Sequence, residues 1–237
     1  MTKKLPRFLA PIIFAQAILG MRVLLRLLRS AGGERISSED APASGEERVS
    51  VIVPVLNERN RLSSCLDGLI AQGSEVTEIV VVDGGSVDGT QQLACTYSER
   101  DSRVRLVDAR PIPSKWNGKA WGLQVGLSST NPASNWILTV DADVRPAPSL
   151  ARALLAQIRR TGLAALSVAT LQEIDSIGEG LLHPSLLATL VYRFGIPGRV
   201  FRRVSEVQAN GQCFLFSRSA LEACGGFMEA QNSVCED

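Results

Sequence analysis

The sequence predicts an α/β fold in which a mainly parallel sheet carries helices on both faces. Short apolar runs of strand length alternate with longer segments whose apolar residues recur at helical spacing. This alternation is typical of strand–helix–strand units, in which the strands pair in parallel and both faces of the sheet are covered. Polar and acidic residues follow several of the apolar runs. Because ligands of such sheets bind beyond the carboxyl ends of the strands, the pattern also predicts where a binding site lies.

Strands are predicted at apolar runs, of which the first is VSVIVPV. The runs are residues 49–55, 78–82, 104–107, 136–140, 163–169 and 208–216. Helices are predicted between them because apolar residues such as Leu62, Leu66 and Leu69 recur at helical spacing. The predicted helices are residues 60–71, 87–98, 119–127 and 150–158. Residues 177–200 are apolar but interrupted by glycine and proline, so we expect either a buried helix or one that rests on a membrane.

The start of the chain is basic and carries no acids. Residues 8–21 are uncharged and mostly apolar, and the basic residues around them are Lys3, Lys4, Arg7, Arg22, Arg26 and Arg29. A helix that crosses a membrane needs about 20 apolar residues, so this run is short unless the helix continues. We expect residues 1–29 to form a membrane-associated helix that either spans the bilayer or lies in its interface. A docking helix and a cleaved signal peptide are the alternatives.

Residues 30–47 are polar and rich in serine, glycine and acids, which predicts a flexible linker before a domain at residues 48–237. Five cysteines without a CxxC pair and one histidine favour neither a zinc site nor a disulfide framework. They suit a reducing compartment, and the basic start suits an anionic leaflet. We therefore expect the cytoplasmic face of the bacterial inner membrane. A net charge of +1 and 5% aromatic residues argue against binding of nucleic acid.

The stretch ILTVDADV ends a predicted buried strand in two carboxylates, Asp141 and Asp143. Burying a charge is costly unless it is paired. A divalent cation such as Mg²⁺ or Mn²⁺ would offset the repulsion between the two carboxylates and link them to a diphosphate, since it keeps coordination positions open for phosphate oxygens. The motif therefore predicts group transfer from a nucleotide-linked donor. A helix cap or a turn is the alternative.

Polar residues also follow the first two predicted strands. Asn57 and Glu58 come after the first, and Asp83 and Asp88 come after the second, within the glycine-rich stretch DGGSVDGT. Glycines there permit a tight turn and close approach of the backbone to a ligand. Each polar residue is also a candidate helix cap. Because the carboxyl ends of parallel strands meet at one edge, we expect these residues to share a cleft with the two aspartates of ILTVDADV.

Three motifs, VSVIVPVLNE, EIVVVDGGSVDGT and ILTVDADV, occur in this order. With them the chain resembles the family 2 glycosyltransferases of the GT-A fold from about residue 49 to residue 237. The segment PSKWNGKAWGLQVG at residues 113–126 is similar to the PxxWxGKxW motif of enzymes that glycosylate polyisoprenoid lipids, such as hopanoid-associated and carotenoid glycosyltransferases. The resemblance implies a GT-A fold with a Rossmann-like sheet. It also implies inverting transfer of a sugar from a nucleotide-diphosphate-sugar to an apolar lipid of the polyisoprenoid, carotenoid or hopanoid type.

The resemblance further implies roles for the residues at matching positions. The donor-binding residues would be Pro54, Asn57, Glu58, Asp83, Lys119 and Asp141. The metal-binding residues would be Asp143 and Asp141. The residues on the acceptor side would be Trp116, Trp121, Asn210 and Gly211. Glu236 and Asp237 match the ED motif of the family, whose aspartate resembles the general base that takes the proton of the acceptor hydroxyl.

Lys119 and the tryptophans also have a physical interpretation without the resemblance. Lys119 can meet a diphosphate near a helix N-terminus, and Trp116 or Trp121 can provide an apolar or sugar-stacking wall. A surface lysine and two core tryptophans are the alternatives.

Two features depart from the family pattern. Gly84 stands where the family often has a second aspartate that can read the nucleobase, so the donor is left open. Family members continue past the ED motif, so we expect residues 48–237 to be a C-terminally incomplete domain. A catalytically silent nucleotide-sugar-binding or membrane scaffold protein is an alternative function. A nucleotidyltransferase is another, although PVLNERNRL lacks the glycines that it would favour after the first strand.

Overall fold

The computed structural model describes residues 9–30, 36, 47–171, 176–180, 182 and 209–231. The chain forms two compact units, Met1–Arg35 with Leu171–Gln208 and Ile36–Thr170 with Ala209–Asp237. Each unit is described by itself below.

The second unit contains a sheet. Among the described residues it has six strands in the order β3-β2-β1-β4-β6-β5. They are β1 Val49–Val55, β2 Val76–Asp83, β3 Val104–Asp108, β4 Trp136–Val140, β5 Ala165–Ser167 and β6 Cys213–Ser217. The pairs β1–β2, β1–β4 and β2–β3 are parallel, whereas β6 runs antiparallel to both β4 and β5. The prediction of a mainly parallel sheet is confirmed.

The second unit also contains helices. They are α2 Arg59–Ile70, α3 Thr90–Arg100, α4 Gly118–Ser129, α5 Leu150–Thr161 and α6 Arg218–Ala223, followed by a short 3₁₀ helix at Met228–Ala230. Helices α2 to α5 each follow one of the strands β1 to β4, and α6 follows β6. β1 and β4 have the predicted bounds. β6 begins later than the predicted run at 208–216, because residues 211 and 212 form a turn.

The core lies on both faces of the sheet. On one face, Leu62 and Leu66 of α2 and Leu154 of α5 pack against alternate residues of β1 such as Val51. On the other face, Leu123 and Leu127 of α4 pack with Ile52 and Val82. Successive side chains of a strand point to opposite faces, so a strand covered on both sides needs apolar residues at every position. This requirement explains why VSVIVPV is almost entirely apolar; its one polar residue, Ser50, is buried and hydrogen-bonded to the carboxylate of Glu78.

The first unit contains α1, Leu9–Ser30, at the position of the predicted N-terminal helix. Large apolar side chains along it are exposed: Ile12, Ile13, Phe14, Ile18, Leu19, Met21, Leu24, Leu25 and Leu28. In the part of the chain that the structure describes, no helix combines the length and the apolar character needed to cross a membrane. In the predicted segment 177–200, residues 177–180 and 182 are helical and the others lie outside the described residues.

The close packing of α4 on the sheet provides a test of the fold. A Cβ atom added to Gly126 would lie 2.4 Å from Cγ2 of Ile52 and 3.1 Å from Cγ2 of Val82, and β-branched side chains have few alternative rotamers. We expect Gly126→Ala to lower the free energy of unfolding by about 1–3 kcal/mol, measured by urea denaturation.

Gly122→Ala is the matched control on the same helix. Its Cβ atom would meet Cβ of Pro54 at 3.5 Å, an ordinary contact, and alanine favours a helix by about 1 kcal/mol over glycine. We expect this variant to be at least as stable as the unchanged protein. Equal stability of the two variants would contradict the packing of α4 described above.

Candidate active site

Residues that follow β1, β2 and β4, together with those that precede β6, meet at one edge of the sheet, which we call the carboxyl edge. Val55 at the end of β1 pairs with Asp83 at the end of β2. Because β6 is antiparallel to β4, its first residue, Cys213, pairs with Val140 at the end of β4. The orientation of β6 thus brings a segment that precedes a strand beside segments that follow strands.

The loops after β1 and β2 are joined by hydrogen bonds. The backbone N–H of Asn57 donates to Oγ of Ser86 at 2.8 Å, and the backbone N–H of Val87 donates to Oδ1 of Asn57 at 2.9 Å. The backbone N–H of Glu58 donates to Oγ1 of Thr90 at 2.9 Å. Asn57 has a φ of 58°, a left-handed conformation that asparagine tolerates better than most residues. These contacts make the two loops one hydrogen-bonded unit, and they use the side chain of Asn57 to build it.

Asp83 lies at the centre of this unit and is fully buried. Its Oδ2 accepts hydrogen bonds from the backbone N–H of Gly85 at 2.9 Å, that of Ser86 at 3.0 Å and Nε2 of Gln91 at 2.6 Å. A carboxylate that accepts several N–H donors is stabilised without a cation. The arrangement shows Asp83 shaping the glycine-rich loop. Its predicted contact with a nucleoside stays a prediction.

Asp88 has a local structural role. Its Oδ1 accepts from the backbone N–H of Thr90 at 3.0 Å and from the Thr90 hydroxyl at 2.5 Å, and its Oδ2 accepts from the backbone N–H of Arg59 at 3.1 Å. The Thr90 hydroxyl is the main reason why the pKa of the Asp88 carboxyl lies below its ordinary value. Asp88 therefore links the starts of α2 and α3 by local hydrogen bonds, while the N-cap residue of α3 is Gly89.

Glu58 and Pro54 flank the same unit. Glu58 occupies the N-cap position of α2 without a capping hydrogen bond from its side chain, and its Oε2 lies 3.4 Å from the Arg61 guanidinium. Pro54 pairs with Val82 inside the sheet and is half-buried against α4, beside Gly122. Their predicted contacts with a donor are not tested by these positions.

Asp141 and Asp143 lie in a turn directly after β4, in which the backbone N–H of Val144 donates to the carbonyl of Asp141 at 3.1 Å. The backbone N–H of Asp141 donates to the carbonyl of Gln212 at 3.0 Å, which fixes this turn to the segment before β6. The side chain of Asp141 is 24% exposed, and Asp143 is exposed.

Lys119, in the first turn of α4, contacts Asp141. Its Nζ lies 3.1 Å from Oδ1 and 3.1 Å from Oδ2 of this aspartate. The Lys119 side chain is 28% exposed, so both partners retain access to solvent. The lysine thus lies at the carboxyl edge, where it forms an ion pair with one carboxylate of the DxD pair. Its predicted contact with a diphosphate stays a prediction.

Asn117 fixes the start of α4. Its Oδ1 accepts from the backbone N–H of Ala120 at 2.7 Å, which is an N-cap hydrogen bond. Its own backbone N–H donates to the carbonyl of Gln231 at 2.9 Å, and its Nδ2 donates to the carbonyl of Ala230 at 3.1 Å. The start of the helix that carries Lys119 is therefore tied to the chain after the 3₁₀ helix. Sequence reasoning missed Asn117, although an asparagine directly before a helical run is a recognised N-cap signal.

Trp116 and Trp121 form an edge-to-face pair with ring centroids 5.2 Å apart. Nε1 of Trp121 donates to the carbonyl of Ala109 at 2.6 Å, and this ring packs against the core beneath α4. Both tryptophans are half-buried. Trp121 thus has the structural role that the core alternative anticipated, and the pair still presents aromatic surface to solvent.

Asn210 lies close to Asp141 through its neighbour Gln212. Oδ1 of Asn210 accepts from the backbone N–H of Gln212 at 2.9 Å, and the carbonyl of Asn210 accepts from Oγ of Ser167 at 3.0 Å. Asn210 and Gly211 are half-buried. The structure therefore brings both residues to the carboxyl edge. Glu236 and Asp237 lie outside the described residues.

The carboxylates at this edge fit a hard divalent cation. Among the described residues no group of three or more histidine, cysteine or acidic side chains could hold a metal ion. Mg²⁺ is commonly bound through one or two carboxylates together with substrate phosphates, so the pair Asp141 and Asp143 suits a cation that arrives with a diphosphate. Burial raises the pKa of the nearby Cys65 thiol to about 12, with smaller effects of Asp143 and Asp141. The buried Cys65 Sγ donates to the backbone carbonyl of Asp141 at 3.6 Å.

The sequence profile described as glycosyl transferase family 2 matches residues 50–225, which include the loops after β1, β2 and β4. This chain belongs to glycosyl transferase family 2. The predicted family is confirmed.

Curated relatives of this family 2 chain match it in part. Glycosyltransferase GlyA of Streptococcus pneumoniae serotype 4 is 34% identical over 98 residues, which are 41% of this chain and 13% of GlyA. The 4,4'-diaponeurosporenoate glycosyltransferase of Staphylococcus aureus is 33% identical over 96 residues, which are 40% of this chain and 24% of that protein. The chain thus matches a quarter or less of the length of either relative.

A solved structure resembles the family 2 chain over most of its length. It is the mannosyltransferase PcManGT from Pyrobaculum calidifontis in complex with GDP-Man and Mn²⁺, with a TM-score of 0.59 and 22% identity. The likeness covers 91% of this chain and 57% of the mannosyltransferase chain. At this identity it shows the fold, and the GT-A fold that the resemblance implied is confirmed.

Substitution by asparagine tests whether Asp83 has a structural role that the exposed Asp143 lacks. Asp83→Asn would place an NH₂ group, or a weaker acceptor, against three N–H donors in a buried position. We expect a loss of about 1–3 kcal/mol in the free energy of unfolding, measured by urea denaturation.

Asp143→Asn is the matched control, because Asp143 is exposed. We expect this change to alter the free energy of unfolding by no more than about 0.5 kcal/mol. If both substitutions cost the same, the structural role assigned to Asp83 is wrong.

Proposed function

We propose that this family 2 protein is an inverting glycosyltransferase that transfers a sugar from a nucleotide-diphosphate-sugar to an apolar lipid. The observation that carries the proposal is the meeting of the DxD aspartates, Lys119 and the glycine-rich loop at one edge of the sheet. An anion-binding lysine beside two carboxylates suits a diphosphate that is bound together with a divalent cation. The relative in Pyrobaculum calidifontis was solved with such a donor and with Mn²⁺.

On the donor side, the loops after β1 and β2, which are joined by hydrogen bonds, would hold the nucleoside. Pro54, Asn57, Glu58 and Asp83 all lie on β1, β2 or these two loops. Asp143 and Asp141 would hold Mg²⁺ or Mn²⁺, which supplies positive charge to the departing diphosphate. Lys119 would add a further positive charge at the same diphosphate.

On the acceptor side, we propose that Trp116 and Trp121 form an apolar wall and that Asn210 and Gly211 line the opposite side. In this scheme Asp237, beside Glu236, takes the proton from the acceptor hydroxyl as the oxygen attacks the sugar carbon opposite the departing diphosphate. The new glycosidic bond forms as the bond to the diphosphate breaks, which inverts the configuration. Support for a lipid acceptor comes from the PSKWNGKAW segment and from the carotenoid-acid glycosyltransferase relative.

We further propose that α1 holds the protein at the cytoplasmic face of the bacterial inner membrane. The support is the row of exposed apolar side chains along α1, such as Phe14 and Ile18, next to the basic residues Arg22, Arg26 and Arg29. An amphipathic or apolar helix with basic residues binds the interface of an anionic bilayer. Such placement would keep an apolar acceptor within reach of the domain.

A transfer assay tests donor, metal and acceptor together. Membranes that contain the protein are incubated with radiolabelled UDP-sugars and GDP-sugars, and lipids are then extracted into organic solvent. We expect label in the lipid fraction with Mg²⁺ or Mn²⁺ and none with EDTA. Asp143→Asn should lower the rate about 100-fold or more, because a metal ion contributes several kcal/mol to stabilising the leaving group.

Two further variants are measured in the same assay, one as a control and one to test the general base. Glu99→Gln, a change at an exposed acid of α3, should leave the rate unchanged. Asp237→Asn should lower transfer by a factor of about 10² to 10⁴ while nucleotide binding is retained, as expected for loss of a general base. Nucleotide binding without transfer to any lipid would support the silent binding protein instead, and label in water-soluble products alone would contradict a lipid acceptor.

Flotation with liposomes tests the role of α1. We expect the protein to float with vesicles of phosphatidylglycerol and phosphatidylcholine. Replacing Phe14 and Ile18 by aspartate should reduce the floating fraction at least about fivefold, because charges at the interface oppose insertion of the apolar face.

The control places the same charges at the same spacing on another exposed helix, as Gln92→Asp and Thr96→Asp of α3. These changes should leave flotation as it is. If the Phe14 and Ile18 variant floats as well as this control, the membrane anchor is not α1.

A further inference from the structure

The contact between Lys119 and Asp141 gives one carboxylate of the DxD pair a positive partner within the protein itself. Nζ of Lys119 is equally close, at 3.1 Å, to both oxygens of Asp141. The ammonium group therefore lies in front of the carboxylate, in the region that a cation bound by both oxygens would occupy. A lysine ammonium and a divalent cation repel each other at such short range.

The two partners differ in their freedom to move. Asp141 is fixed by the hydrogen bond from its backbone N–H to Gln212 and by the turn to Val144. Lys119 has a four-carbon stem with rotatable bonds, and its ammonium group donates in any direction. Its backbone is fixed, since Asn117 caps α4 and binds the chain at Ala230 and Gln231. A move of Lys119 away from Asp141 thus requires rotation of the side chain and no change of the backbone.

We propose that Lys119 is an exchangeable counter-ion: it pairs with Asp141 before the donor binds and transfers to the donor diphosphate when the metal ion and the nucleotide enter together. The proposal rests on the function proposed above and adds a binding order to it. In the absence of nucleotide, Lys119 opposes binding of the metal ion alone. A diphosphate attracts both Lys119 and the metal ion, so it removes this opposition.

The exchange predicts opposite effects of one substitution on two affinities. Lys119→Met removes the charge and keeps most of the apolar stem. Without the ammonium group, Mn²⁺ alone should bind about threefold to tenfold more tightly, because the repulsion between the Lys119 charge and the metal ion is removed. UDP or GDP at saturating Mn²⁺ should bind about tenfold more weakly, because a charge-assisted hydrogen bond to the diphosphate is lost.

The experiment uses the full chain and two probes. Electron paramagnetic resonance measures the binding of Mn²⁺ alone, and calorimetry measures the binding of UDP and of GDP in the presence of Mn²⁺. Lys119→Arg keeps the positive charge. Its affinity for Mn²⁺ alone should therefore equal that of the unchanged protein, and its nucleotide affinity should be higher than that of the methionine variant. Lys115→Met removes an exposed lysine of the same segment and should change neither affinity. A purely structural role of Lys119 would shift both affinities in the same direction.

The outcomes separate this inference from the proposed function. If the unchanged protein binds neither UDP nor GDP with Mn²⁺, the proposed function fails and the exchange fails with it. If the unchanged protein binds nucleotide but Lys119→Met leaves the affinity for Mn²⁺ alone unchanged or lowers it, the exchange is wrong and the proposed function stands. Opposite shifts in the methionine variant, reversed by arginine, support the exchange.

Discussion

The pairing of β1 with β2 on one side and with β4 on the other is the constraint on which the site depends. Parallel pairing places the ends of these strands at one edge of the sheet, so the three loops that follow them are neighbours in space. The antiparallel strand β6 adds the segment that precedes it, through the hydrogen bond from Asp141 to Gln212. The apolar packing on both faces of the sheet holds these strands in register and leaves the polar edge open.

Several acidic side chains are gathered at this edge, and each is stabilised in a different way. Asp83 accepts hydrogen bonds from backbone N–H groups and from the side chain of Gln91. Asp88 accepts hydrogen bonds from the Thr90 hydroxyl and the backbone N–H of Arg59. The carboxylates of Asp83 and Asp88 shape the loops after β1 and β2, and their oxygens already accept hydrogen bonds within the protein. Asp141 forms an ion pair with the ammonium group of Lys119, and Asp143 is exposed. The DxD turn thus carries one ion-paired and one exposed carboxylate, while Asp83 and Asp88 are occupied by hydrogen bonds within the loops.

Membership of glycosyl transferase family 2 and the GT-A fold agree with this division of roles. The two curated relatives match about 40% of this chain, and the mannosyltransferase structure with GDP-Man and Mn²⁺ has the same fold. The proposed lipid acceptor and the proposed membrane role of α1 depend on segments whose chemistry is apolar and aromatic. Such surfaces are less specific than a carboxylate pair, because many apolar partners fit them.

The sequence by itself determined the α/β class, the bounds of β1 and β4, the family and the position of the DxD pair, because apolar periodicity and short motifs are local properties of the chain. It did not determine which polar residues at the edge are free to bind a ligand. Asn57 and Ser86 are 29 positions apart, and Lys119 and Asp141 are 22 apart, so their contacts depend on the register of the sheet and on the placement of α4. The late start and reversed direction of β6 were likewise decided by pairing with β4. The residue type alone does not show whether a polar side chain forms hydrogen bonds within a loop or faces solvent. Only the tertiary packing decides between these two roles.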